Sequence, residues 1–310
     1  MNKTKLGYSH GFNWTDEATA MLVEMRQEGY TSRQISTEMS RRFNRDIGIC
    51  TVENKMGRLK LPPAVERNPD IKIYEPKSLP DGDYMISCDY HAPFYSEKWV
   101  NKLLSVADYC GVKKHIIVGD LFDCDWAKKY PSTDGEKRPG LDGEAAITDP
   151  LIKALLDAFD DTLLVFGNHE TRPARNIATV HFRHIAGYLG LDKTKEKFSF
   201  TEYDQLEIGT KWLLVHPKSY SQISGAVAVR LAEKYHRHIL NAHGHFSAVR
   251  WDRSGAYQCV DLGGMFDQRK IAYSTLITTT HPTWNPGFGL IMDGYFHHFH
   301  SGTDFKCWQK

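Results

Sequence analysis

Seven side chains able to ligate a metal follow short apolar runs: Asp89 and His91, Asp120, Asn168, His216, and His243 with His245. The runs are Tyr84 to Cys88, His115 to Val118, Leu163 to Phe166, Trp212 to Val215 and His238 to Ala242. Their length and bounding residues predict buried strands. In open α/β sheets, ligands gather at the carboxyl ends of strands, so the placement points to one site. Seven oxygen or imidazole donors exceed what one ion needs, whereas two ions sharing a bridging carboxylate use them all. Each signal alone is weak. An Asp-x-His at a strand end is more often a turn with a capping Asp, and Gly119-Asp120 is common turn chemistry. His243-x-His245 on an extended segment would set both imidazoles on one face, a spacing that also occurs in strands without metal. The combination of five elements in a fixed order carries the argument.

The elements that must position these donors read as an α/β domain over residues 83–310, with apolar runs alternating with helical stretches. One helix is expected from Ser96 to Cys110, with Trp99, Leu103, Val106 and Cys110 on one face. Another is expected from Pro150 to Phe159, capped by Asp149 with proline at its first position. Residues 126–148 are rich in Lys, Asp, Gly and Pro and lack periodicity, which predicts a long functional or mobile loop. Five of the thirteen prolines fall between Pro62 and Pro80, so residues 62–82 read as a linker.

Residues 1–61 form a different pattern. Trp14, Ala18, Met21, Leu22 and Met25 recur at helical spacing behind Thr15 as N-cap, with Asp16 and Glu17 in the first turn. Thr31 and Gln34 fit a capping box ahead of Ile35 and Met39, and Thr51 precedes Val52, Met56 and Leu59. Three short amphipathic helices are expected. From Thr31 to Lys60 seven basic residues face three acidic ones, a local net charge of +4. Asn54, Lys55 and Arg58 lie opposite the apolar face of the third helix, and these residue types read base edges or phosphates in a major groove.

The whole chain sets only broad bounds. Its 310 residues suggest about two domains, and 41% hydrophobic with 25% charged residues exclude disorder or a fibrous rod. The net charge of +1 names no partner, so attraction to nucleic acid must come from a local patch. No apolar run approaches the roughly 18 residues of a membrane span, and no apolar stretch follows the first lysines, so neither membrane nor secretion is expected. Six cysteines without a CxxC pair fit reduced thiols in a cytoplasmic protein. The carboxyl-terminal His297, His298 and His300 read as a solvated strand edge rather than a second metal site.

As a set, the motifs resemble those of the calcineurin-like metallophosphoesterase superfamily. They stand here as Asp89-Tyr90-His91, GDLFD from Gly119 to Asp123, GNHE from Gly167 to Glu170, His216 in LLVHP, and Ala242-His243-Gly244-His245. The resemblance spans residues 83 to about 265 and implies a four-layer α/β/β/α sandwich preceded by the small all-α domain. It implies one metal held by Asp89, His91 and His245, another by Asn168, His216 and His243, and Asp120 bridging ions about 3.5 to 4 Å apart. His169 is then the candidate proton donor to the leaving oxygen. Two cations would lower the pKa of a shared water, hold hydroxide in line with phosphorus and neutralise developing charge. Oxygen and nitrogen donors without thiolate favour Mn, with Fe or Zn as alternatives. The sequence departs from the family at Ala242 and Pro217, where glycine is usual, and neither change removes a ligand. Asp123 is expected to fix a ligand or loop, and Arg172 and Arg175 either to contact phosphate or to sit as exposed helix arginines.

The amino-terminal segment resembles a helix-turn-helix unit of the GcrA or Myb-like kind, which implies DNA binding; a protein-docking module is the alternative. Together the resemblances imply a metal-dependent phosphodiesterase or nuclease acting on DNA, tethered to its substrate. The alternative is a phosphomonoesterase or nucleotide phosphohydrolase that the small module only localises. A third reading, a DNA-binding regulator retaining the metal fold as scaffold, conflicts with the intact ligand set.

Overall fold

The computed structural model describes residues 12–28, 30–61, 76–128, 139–176, 182–188, 191, 196–271 and 284–308. Two compact units divide the chain, Met1–Tyr74 and Glu75–Lys310. Three helices lie in the first: α1 (Asp16–Gln27), α2 (Ser32–Arg42) and α3 (Ile49–Arg58). The Thr15 hydroxyl accepts from the Ala18 amide at 3.2 Å. Thr31 and Gln34 cap each other reciprocally, the Gln34 amide reaching Thr31 Oγ1 at 3.3 Å and the Thr31 amide reaching Gln34 Oε1 at 2.9 Å. Helix α3 begins two residues ahead of the expected Thr51, with Gly48 as N-cap. Its entry is pinned at buried Ile47, whose carbonyl accepts from Ser36 Oγ at 2.6 Å and whose amide donates to Ser40 Oγ at 3.0 Å. Ala18, Leu22, Met25, Ile35, Met39, Ile47, Val52 and Met56 form this unit's core, while Leu59, expected on the apolar face, is exposed.

Of the expected linker 62–82, residues 62–75 lie outside the described residues, and the remainder requires correction. Lys77–Leu79 is strand β1, paired in parallel with β6 (Gln205–Ile208) from Lys77↔Leu206 to Leu79↔Ile208. Pro76 and Pro80 bracket this edge strand instead of interrupting it, so no ladder donor is lost.

The second unit holds β2 (Tyr84–Ser87), β3 (Lys114–Val118), β4 (Asp161–Val165), β5 (Phe198–Thr201), β7 (Trp212–Val215), β8 (His238–Asn241), β9 (Ser247–Trp251), β10 (Gln258–Leu262), β11 (Gly287–Met292) and β12 (Tyr295–His300). One sheet runs β1-β6-β7-β8-β10-β9 and the other β12-β11-β2-β3-β4-β5, both mixed. Alternation along the central strands separates the layers. Ile86, Ile116, Val118, Leu163 and Val165 of the second sheet meet Leu206, Leu214, Leu240 and Val260 of the first in one core. Their neighbours Met85, Ile117 and Leu164 pack against α4 (Glu97–Cys110) and α5 (Leu141–Ala158). Leu213, Val215 and Ile239 pack against the helix Ala226–Tyr235. The result is a mixed α/β unit of two facing sheets with helices on the outer faces.

Helix α5 corrects two expectations. It starts at Leu141 behind Gly140, so 141–148 are helical instead of loop, while 129–138 lie outside the described residues. Pro150 falls inside the helix rather than at its first position. Glu144, Thr148, Leu151 and Leu155 form a buried face at helical spacing, and Pro150 and Ala146 are exposed. The carbonyl that proline leaves unbonded thus faces solvent, and the buried face outweighs a propensity cost of about 3 kcal/mol. No described helix is long and apolar enough to cross a membrane. The six cysteines are free thiols.

Candidate metal centre

The donors stand just past the ends of β2, β3, β4, β7 and β8, and the backbone turns sharply there. Asp89, His91, Asp120, His243 and His245 all adopt the left-handed region, with φ of 50°, 45°, 52°, 72° and 58°. Such conformations cost on the order of 1–3 kcal/mol each in non-glycine residues and cluster at functional sites. His243 and His245 therefore lie on a bend instead of the expected extended segment, and their imidazoles part to serve two different clusters. Two motif glycines are required by close approach: a Cβ on Gly119 would overlap the His216 ring, and one on Gly167 would overlap the Asp120 carboxylate.

Asp89, His91 and His245 converge in one cluster, and Asp120, His216 and His243 in another. Asn168 joins the second, its Oδ1 3.1 Å from His216 Nε2. In the first cluster His245 Nε2 lies 3.0 Å from His91 Nε2 and 3.2 Å from Asp89 Oδ1. Asp89 Oδ2 accepts the His243 amide at 3.2 Å, which links the clusters and leaves Oδ1 facing inward. Asp120 Oδ1 accepts the His169 amide at 3.0 Å. Its Oδ2 sits between the clusters, 3.3 Å from His216 Nε2 and 3.9 Å from His91 Nε2. All seven expected ligands are thus brought together.

Hydrogen bonds behind the imidazoles set their tautomers. His216 Nδ1 donates to the Val118 carbonyl at 2.9 Å, and a carbonyl can only accept, so in the neutral ring it is Nε2 that presents its lone pair to the cluster. His91 Nδ1 meets Asp123 Oδ1 at 3.1 Å to the same effect. Asp123 thus orients the His91 ring, and with His91 and His169 it forms a third group of donors beside the first two. His169 Nδ1 donates to the Asp123 carbonyl at 2.8 Å, and its Nε2 lies 3.6 Å from Asp120 Oδ2.

Charge is concentrated here with little solvent. Burial pushes the Asp89 and Asp120 carboxyls up, but the surrounding imidazoles outweigh it and hold both below the ordinary carboxylate range. Burial opposes protonation of His91 and His216, yet carboxylates raise them to about 10 and about 9, Asp123 acting first on His91 and Asp120 on His216. Burial, then His216, lowers His243 to about 4, and burial also lowers His245. The donor set fits a pair of divalent ions. Asp89 Oδ1 and Asp120 Oδ2 are buried carboxylate oxygens that accept no hydrogen bond among the described residues, and both face imidazole nitrogens that can coordinate.

Glu170, the last residue of GNHE, holds the loops together. Its carboxylate accepts the amides of Asp120 and Gly167 at 2.9 Å and of Phe122 at 3.2 Å. From the sequence it falls outside the expected site; its place beside Asn168 and His169 in GNHE is the signal that could have found it. Arg172 and Arg175 belong to α6 (Arg172–Asn176). Arg172 Nη1 donates to the Asp123 carbonyl at 2.6 Å and Nη2 lies 2.8 Å from His169 Nε2. Arg175 donates to the Asn168 carbonyl at 3.0 Å. Both brace the site loops.

The residues expected to meet DNA lie in the other unit. Asn54 and Arg58 are exposed on α3. Lys55 departs from the expected open face: it is half-buried, with Nζ 5.3 Å above the Trp14 ring. Among the described residues Arg41 pairs with Glu38 and Arg42 with Glu17.

No protein-family model matches the chain, and no curated protein matches it. Among solved structures it is similar to Yfce, a phosphoesterase from E. coli, at 13% identity with a TM-score of 0.35, covering 68% of this chain and 88% of that one. At that distance the side chains, not the likeness, carry the chemistry.

Proposed function

We propose that the protein is a dinuclear-metal-dependent phosphoester hydrolase of the calcineurin-like metallophosphoesterase type, acting as a phosphodiesterase on DNA. The observation that carries the hydrolase reading is Asp120 Oδ2, a buried, unbonded carboxylate oxygen set between two imidazole clusters. Asp89, His91 and His245 would hold one ion and Asn168, His216 and His243 the other, with Asp120 placed to serve both. When bound, such a pair, for which oxygen and nitrogen donors without thiolate favour Mn over Fe or Zn, would supply an acidified water and Lewis-acid stabilisation of the phosphoryl oxygens.

The chain's own groups do the rest. Asp123 and the Val118 carbonyl hold the His91 and His216 rings in the coordinating tautomer. His169 is the candidate proton donor to the leaving oxygen. Its Nδ1 donates to the Asp123 carbonyl and its Nε2 accepts from Arg172 Nη2, so it serves as donor only once the ester's phosphate draws Arg172 away and Nε2 takes up a proton from solvent. Arg172, braced on that carbonyl, keeps positive charge beside His169 where an anionic ester must arrive. Buried walls around Asp89 and Asp120 limit water and strengthen each of these interactions.

The finer assignment to DNA is supported by the basic character of residues 31–60 and by exposed Asn54 and Arg58 on α3. Phosphate contacts make such binding salt-dependent. The test is a panel of mono- and diesters and labelled DNA with Mn, Fe or Zn, comparing the native chain with Arg58→Glu and a variant lacking residues 1–61. Diester cleavage is expected, with weaker duplex affinity in both variants, most clearly at low salt, and unchanged hydrolysis of small esters. Cleavage of monoesters alone would shift the substrate class, and equal duplex affinity would remove the DNA role. Failure to cleave any ester with any of the three metals would overturn the hydrolase reading.

A further inference from the structure

A cavity of about 340 Å³ opens beside the first donor cluster, lined by Phe266, Trp284, Trp99, Lys98, Asp267 and Arg269 among others. It shares a wall with the cluster. The Phe266 ring packs 5.5 Å from His91 and 4.6 Å from His245, and the Trp284 ring lies 4.7 Å from His245. Gly264 completes that wall with bare backbone; a Cβ there would strike the Phe266 ring and approach Asp89 Cβ to 3.4 Å. Phe266 and Trp284 stand nearly perpendicular, 87° apart with centroids at 5.7 Å. Two flat surfaces set at a right angle form a corner for a planar group, one ring to stack on and one to meet its edge.

Charge at the cavity complements an anion. Arg269, itself exposed, pairs with Asp267 at the cavity rim, with Nε to Oδ1 at 3.0 Å and Nη2 to Oδ2 at 2.7 Å, and offsets that carboxylate's charge. Lys98 then leaves the surround net positive. The volume is at the lower end of the range for small-molecule sites, enough for a ring and its sugar. We infer that this cavity is the subsite for the nucleobase of the phosphoester, with the ester phosphate at the adjoining donor clusters. The inference rests on the phosphoester reading and adds to it the place where a nucleotide's base is held. Stacking on an aromatic side chain tolerates every base, so the subsite selects for a base without selecting which one.

The test uses two non-hydrolysable phosphonates, the carbon-bridged analogue of AMP and the same ribose phosphonate lacking the base. Each is titrated calorimetrically into the full chain with Mn and without it. The native protein is expected to bind the base-bearing analogue about tenfold more tightly or better. Trp284→Ala is expected to bring the two affinities within about twofold, and Trp284→Phe to restore most of the difference, which a merely structural loss would not do. Equal affinities in the native protein, or a ratio unmoved by Trp284→Ala, would overturn the subsite. Dependence of both affinities on Mn reports on the metal reading instead, so the two failures are distinguishable.

Discussion

His91 Nε2 and His245 Nε2 face each other across 3.0 Å, brought together from positions 154 residues apart. Asp123 engages the far nitrogen of His91, and Asp89 Oδ1 lies 3.7 Å from one Nε2 and 3.2 Å from the other. Two imidazole nitrogens at this distance need a proton or a cation between them. Divalent metal is therefore expected to stabilise the native chain, by about 2.7 kcal/mol at a hundredfold excess over Kd. Thermal melts with Mn, Fe(II) and Zn check this; no upward shift with any of them contradicts it.

Asp120→Asn separates the shared carboxylate's two roles. The amide oxygen can still accept the His169 amide as Oδ1 does, while the charge at Oδ2 is lost. The fold is expected to survive by circular dichroism, bound metal to fall by at least half, and turnover to drop by about a thousandfold or more. Wild-type activity in this variant would exclude Asp120 from the centre.

Glu170→Ala removes one acceptor from three buried amides, those of Asp120, Gly167 and Phe122. Each orphaned donor costs roughly 1–3 kcal/mol, so urea unfolding should show a loss of several kcal/mol, with weaker metal binding. A loss below about 1 kcal/mol would mean that solvent or a rearranged loop replaces the carboxylate.

Metal uptake should expel protons. In the metal-free chain His91 and His216 are held protonated up to about 10 and about 9, so an ion competes with a proton at each ring. Apparent affinity is expected to climb as pH rises from 7 toward 9, and calorimetry in buffers of different ionisation enthalpy should register the released protons. The same shifts stabilise the metal-free fold below the ordinary histidine pKa, a contribution lost as pH rises through 9 to 10. The lowered Asp89 and Asp120 act oppositely, adding stability above the ordinary carboxylate range that disappears in acid. A pH-independent metal affinity would contradict this account.

Glu144 carries the reverse linkage. Burial on α5 raises its carboxyl to about 8, against the partial relief of the Cys124 amide donating to Oε1 at 2.9 Å. Because the unfolded chain ionises it near 4.5, stability is lost as pH rises from there to about 8. Glu144→Gln keeps an acceptor for Cys124 without the titration, and should be more stable than the native chain at pH 8 by an amount on the order of 1 kcal/mol or more. Chemical denaturation at pH 5 and pH 8 measures the difference; an identical pH dependence in both proteins would show that Glu144 is not its source.

What the linear chain determines by itself is periodic or adjacent. Thr15 and the Thr31–Gln34 pair announce their helices because caps act over three residues. The five runs ending at metal-capable residues announce β2, β3, β4, β7 and β8, since burial on both faces forces continuous apolar stretches. Long-range contacts decided the rest. Lys77–Leu79 became an edge strand because β6 offered a partner, a fact no window around Pro76 and Pro80 contains. Pro150 entered a helix because a buried face beginning before it outweighed its propensity. His243 and His245, which the family resemblance assigns to different ions but an extended spacing would set on one face, part because both adopt left-handed turns, a conformation stabilised by the loops around them and not by their own types. The identities of the donors were local information. Their convergence, and the shared place of Asp120 among them, required two sheets to pack face to face.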